Sequence, residues 1–79
     1  MQKLAGHVVD EDGFELEIWT DQGPDQEISH VFIMYGGTEL GDFPFNSPDK
    51  GCELCEAAQL VAGSPLTTTI SLPILVMSA

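Results

Sequence analysis

Residues Ser47–Gly63 read S-P-D-K-G-C-E-L-C-E-A-A-Q-L-V-A-G, and this stretch decides the fold. Ser47 has the hydroxyl of a good N-cap, able to accept a bond from a first-turn N–H. Pro48 suits the first helical position, where φ is already set and no N–H is needed. Asp49 places negative charge at the positive end of the helix dipole. Gly63 reads as the C′ residue, and Ser64-Pro65 blocks continuation. At ~100° per residue, Leu54, Cys55, Ala58, Val61 and Ala62 share one face. Asp49, Glu53, Glu56 and Gln59 share the other, with Lys50 on the boundary and Leu60 stranded on the wet side. One amphipathic helix among strands predicts an α+β fold, with the helix laid on one face of a sheet.

The strands follow from the remaining apolar spacing. Leu4–Val9 is a first strand, with Leu4, Gly6 and Val8 set against Ala5, His7 and Val9. Asp10-Glu11-Asp12-Gly13 is a turn in which Gly13 supplies positive φ. Phe14–Trp19 alternates cleanly: Phe14, Leu16 and Ile18 point one way, Glu15, Glu17 and Trp19 the other. Thr20–Gln26 is a loop by its Gly-Pro and polar run. Glu27–Tyr35 is apolar on both sides, Ile28, Phe32 and Met34 against Val31, Ile33 and Tyr35. That pattern belongs to a strand buried on both faces, or to one whose second face meets a partner. Gly36-Gly37 ends it. Thr38–Asn46 reads as irregular, with Phe43 and Phe45 tucked against the sheet. Leu66–Met77 is a last strand, and Pro73 marks an edge or a bulge. The expected order is β-β-β-α-β, a small antiparallel sheet in a single domain spanning 1–79.

Composition narrows the function classes. A hydrophobic content of 43% is that of a folded chain. Thirteen carboxylates face two basic side chains, Lys3 and Lys50, for a formal net charge of -11. Such a chain repels nucleic acid and anionic membranes and is drawn to basic surfaces. No apolar h-region follows Met1-Gln2-Lys3, and the apolar run near the C-terminus is shorter than the ~20 residues of a membrane span. A soluble, cytoplasmic protein is expected.

No motif carries catalysis. Cys52 and Cys55 lie three apart, but only His7 and His30 remain to complete a Cys2His2 zinc site, and neither is near the pair in sequence. Glu53 and Glu56 flank the thiols and oppose a low thiol pKa, so redox chemistry is disfavoured and packing explains the pair. There is no nucleophile elbow, no phosphate loop at Gly36-Gly37 or Gly41, and no closing Glu for a calcium loop at Asp10–Gly13. The expectation is a non-enzyme without cofactor or metal.

Charge distribution is the remaining signal. Asp10, Glu11, Asp12, Glu15 and Glu17 cluster in the first hairpin, and Asp21, Asp25 and Glu27 extend the acidic zone. A row of carboxylates resembles phosphates to an Arg/Lys groove, and Trp19 beside it supplies an aromatic anchor. The sequence therefore points to a small acidic inhibitor that occupies a basic, nucleic-acid-binding surface of a partner protein. In its most specific form it is a phage-encoded nucleic-acid mimic, an anti-CRISPR or anti-restriction protein. Its partner-binding residues are Asp10, Glu11, Asp12, Glu15, Glu17, Trp19 and Asp21. Two alternatives are an assembly subunit dimerising through the apolar C-terminal strand and a small Cys2His2 zinc module.

Overall fold

The computed structural model describes residues 1–49, 51–64 and 67–71. Its elements are β1 (Gln2–Val9), β2 (Glu15–Gln22), β3 (Ile28–Tyr35), β4 (Thr38–Pro44), α1 (Glu53–Ala62) and β5 (Thr68–Ser71). The strands form one sheet in the order β4-β3-β2-β1-β5, and α1 packs on one face. The α+β class and the single helix on one side are as the sequence predicts. The sheet differs in two respects. It gains a strand at Thr38–Pro44, and β5 joins β1 in parallel, so the sheet is mixed rather than wholly antiparallel.

Why β4 escapes the sequence reading is a matter of parity. Gly36 and Gly37, with φ of 58° and 84°, make the two-residue turn that folds β4 back on β3. The ladder then shifts by one residue, pairing Ile33 with Gly41 but Met34 with Glu39. Leu40 is the extra residue and is 56% exposed. A bulge of this kind reverses the inside–outside alternation in mid-strand, and Gly41 and Pro44 weaken the signal further. Beyond the bulge Phe43 pairs with Val31 and is buried, and Phe45 packs against the core, as predicted for both rings.

Two more bulges correct individual side chains. In β1 the register passes from Leu4 opposite Trp19 to Gly6 opposite Ile18, so Ala5 rather than Leu4 packs against the core. In β3 it passes from His30 opposite Asp21 to Ile28 opposite Gln22. Ser29 is the extra residue, and Ile28 joins the core instead of sharing a face with Phe32 and Met34. β2 begins at Glu15 rather than Phe14. Phe14 stands exposed and meets Tyr35 edge-on, with ring centroids 6.0 Å apart.

The helix starts later than its sequence signals suggest. Ser47 is not its cap: the Ser47 N–H donates to the Pro44 carbonyl, and Gly51 sits at φ 92°. A left-handed residue cannot continue a right-handed helix. Cys52 becomes the N-cap, its thiol accepting the Cys55 N–H at 3.2 Å. Gly63 closes the helix in a right-handed conformation rather than as a left-handed C′ residue. Its N–H reaches the Gln59 carbonyl, and the Ser64 hydroxyl donates to the Leu60 carbonyl. Ala57, Ala58, Val61 and Ala62 are buried, Leu54 and Cys55 pack beside them, and Leu60 faces solvent as expected. Among the described residues no helix is long and apolar enough to cross a membrane. Lys50, Pro65, Leu66 and the predicted strand beyond Ser71, including Pro73, Leu75 and Met77, lie outside the described residues.

The core is Val8, Ile18, Val31, Ile33 and Phe43 from the sheet against the buried alanines and Val61 of α1. Small helix residues let α1 sit close. Closest of all is Gly6, where a Cβ would lie 2.1 Å from the Thr68 carbonyl oxygen and 2.6 Å from Val61 Cγ1. Gly41 meets nothing within 4 Å. Gly6→Ala is therefore expected to lower stability by about 3 kcal/mol or more, whereas Gly41→Ala should stay within about 0.5 kcal/mol. Urea denaturation of the two variants checks the contrast.

Candidate protein-interaction face

The helix covers one side of the sheet, and the pleat sends alternate side chains to the other. On β2 those are Glu15, Glu17, Trp19 and Asp21, spaced ~7 Å apart along the strand. Cross-strand pairing extends the surface. Trp19 lies opposite Phe32, which lies opposite Asp42, and Glu17 lies opposite Met34, which lies opposite Glu39. This uncovered face, over which no described element packs, thus has a centre of Trp19, Phe32 and Met34, all half-buried, bordered by carboxylates from β2 and β4. Between them is a cleft of about 230 Å³, lined by Glu17, Trp19, Phe32, Met34, Gly37 and Glu39, with Gln2 at one end.

Local bonds hold this arrangement. The Trp19 indole Nε1–H donates to Glu17 Oε1 at 3.3 Å, tying the ring to the neighbouring carboxylate on its own strand. His7 Nε2 lies 3.4 Å from Glu15 Oε1, and the His30 ring stacks on Phe32 with centroids 6.3 Å apart. Asp21 is engaged by the N-terminal ammonium at 2.9 Å, which offsets part of its charge.

The predicted binding residues therefore fall into two groups. Glu15, Glu17, Trp19 and Asp21 share the uncovered face. Asp10, Glu11 and Asp12 lie in the β1–β2 turn beyond the end of the sheet. Asp10 shapes that turn: its Oδ1 accepts the Asp12 N–H at 3.0 Å and the Phe14 N–H at 2.8 Å. Glu39 and Asp42 complete the acidic border and were not among the predicted binding residues, because their strand was hidden by the Leu40 bulge. Phe32 and Met34 were legible as the second apolar side of β3.

The cysteines stand apart from all of this. Cys52 caps α1 and Cys55 lies within it, on the helix side, whereas His7 and His30 lie on the uncovered side with Glu15 and Phe32. The sheet separates the four groups that a Cys2His2 site must bring together. Among the described residues no group of three or more His, Cys, Asp or Glu side chains is placed to hold a metal ion. Burial pushes the Cys55 thiol up to about 12, and the hydrogen bond with Cys52 and the Asp49 carboxylate add to the rise. A thiol held protonated is a poor nucleophile.

Neither a family model, nor a curated protein, nor a solved structure matches the chain.

Two outcomes follow from this geometry. Asp10→Ala is expected to cost about 1 kcal/mol through its two turn bonds, while Glu11→Ala should change stability by less than about 0.5 kcal/mol; chemical denaturation separates them. Cys55 binds its proton more tightly folded than unfolded, so its contribution is complete below the ordinary thiol value of 9.0 and is lost as pH rises towards about 12. Stability measured across that window should fall more steeply for the native protein than for Cys55→Ala.

Proposed function

We propose that the protein is a small acidic binding protein whose uncovered sheet face occupies a basic, nucleic-acid-binding surface of a partner protein. The observation that carries this reading is the juxtaposition on one face of Glu15, Glu17 and Asp21 from β2 with Glu39 and Asp42 from β4, around Trp19, Phe32 and Met34. A carboxylate border with an aromatic centre is the anatomy of a protein interface: the charges steer and orient a basic partner, and the desolvated aromatic core holds it. Carboxylates repeated along a strand present successive negative points to Arg and Lys side chains evolved to grip phosphates. Inhibition by occupying such a groove, as a nucleic-acid mimic of phage origin would do against a restriction or CRISPR effector, is the most specific form of the proposal. No catalytic step and no cofactor enter it.

Dimerisation through the C-terminal strand is the competing reading. It is favoured by one observation, that β5 stands last in the strand order of the described sheet, beside β1.

The test is capture of a partner from host lysate under a salt gradient, with a charge-reversed bait alongside. The native protein should retain a basic nucleic-acid-binding protein that elutes as salt rises and is competed off by DNA or RNA. Glu15→Lys with Glu17→Lys should weaken that binding by about tenfold or more per reversed charge, with circular dichroism unchanged. Unchanged affinity of the double variant overturns the proposal. A dimer whose sedimentation ignores salt would identify the assembly reading instead.

A further inference from the structure

The cleft on the uncovered face has a chemistry more specific than negative charge. It measures about 230 Å³, below the ~300 Å³ at which pockets for small-molecule ligands and cofactors begin. Its size is that of one inserted side chain. Its floor is aromatic and thioether surface, Trp19 and Phe32 paired directly across β2 and β3 with Met34 beside them. Glu17 and Glu39 flank Met34 in one cross-strand row, so their backbones are ~10 Å apart with Met34 between them, and both line the cleft. The Trp19 indole is held by its bond to Glu17, which takes one of the roughly four acceptor positions of that carboxylate. An apolar floor between two carboxylates selects a flat, delocalised cation.

From this geometry we infer that the cleft is a receptor for a single arginine side chain of the partner, its guanidinium lying on Trp19 and Phe32 and donating to Glu17 and Glu39. The inference rests on the reading that the uncovered face is where the partner binds. Guanidinium fits better than ammonium. It is planar and weakly hydrated, stacks on aromatic faces and donates in two directions within its plane, whereas ammonium must shed a tightly held water shell to enter an apolar cleft. A second copy of this chain cannot supply the group. Its two basic residues are Lys3 and Lys50, and it contains no arginine. The arginine comes from a different protein, and an overall charge of -11 draws basic proteins towards the face.

Trp19 is the one tryptophan, so its indole N–H is an assigned reporter at the floor of the site. The experiment titrates isotope-labelled full-length protein with Nα-acetyl-argininamide, and in parallel with Nα-acetyl-lysinamide, following the Trp19 indole and Met34 methyl resonances. The arginine amide should shift both saturably, with a Kd on the order of millimolar for so small a ligand. The lysine amide should bind about threefold more weakly or worse. Glu39→Gln, on an exposed edge-strand position that leaves the fold intact, should weaken arginine binding about fivefold. Equal response to both cations, or shifts confined to Glu15 and the β1–β2 turn, overturns the arginine site while leaving the acidic-face proposal standing. Shifts of the same two resonances with protein concentration alone mean that another copy fills the cleft, and also overturn it. Failure of the acidic-face proposal has a separate signature, a captured partner still held by the Glu15→Lys, Glu17→Lys protein.

Discussion

Gly6 is the point on which the sheet closes. β1, β5 and α1 converge there so tightly that a methyl group would overlap the Thr68 backbone and the Val61 side chain together. Glycine weakens a strand by its backbone freedom, and here the close approach of three elements compensates for that cost. Because Gly6 lets β5 and the helix come down on β1, Val8, Ile18 and Ile70 share one apolar layer with Val61 and the helix alanines. The helix can be small-sided because it sits so near. Bulkier residues at Ala57 and Ala58 would lift it from the sheet and open the core.

Among the described residues a single ten-residue helix packs on one face of the five-stranded sheet and no element covers the other, and this asymmetry separates the roles of the carboxylates. In the β1–β2 turn Asp10 serves the chain itself by fixing the loop, and near the end of β2 Asp21 is engaged by the N-terminal ammonium. Those along the middle of β2 and β4 surround apolar side chains that folding has not covered. Charge and hydrophobicity are interleaved on that face and segregated on the other, where nine buried apolar residues meet with Thr20 as the one buried polar side chain among the described residues.

The class of fold was legible because it depends on period alone: helical spacing in one segment, alternation in others. The exposure of Leu60 was legible for the same reason, and the anchoring of Phe43 and Phe45 from two large apolar rings in an otherwise polar segment. What failed was parity and position. Ala5, Ser29 and Leu40 each add one residue to a ladder, and each moves its neighbours to the opposite face from the one simple alternation assigns. The helix start failed because Ser47, Pro48 and Asp49 carry the right local chemistry, but Gly51 adopts a left-handed turn that separates them from the helix and passes the cap to Cys52. Half of the uncovered face was visible in β2 and β3. The β4 half was not, since a bulged edge strand containing glycine and proline looks irregular until the Gly36-Gly37 turn lays it against β3.

The placement of β1 in the interior of the sheet, between β2 and β5, has a consequence for the order in which the molecule is made. β1 waits for β5: β1 to β4 can form a meander of neighbouring hairpins, but the parallel pairing of Gly6 with Thr68 joins segments far apart in sequence. Until β5 and the helix before it have left the ribosome, one edge of β1 and the whole apolar layer beneath α1 stay open to water. Local pairing comes early and closure comes late, because the entropy of joining distant segments must be met before their contacts form. A chain in which α1 and β5 have not yet closed on β1 is thus a half-built sheet, and the acidic side chains that β1 to β4 already carry repel like-charged neighbours.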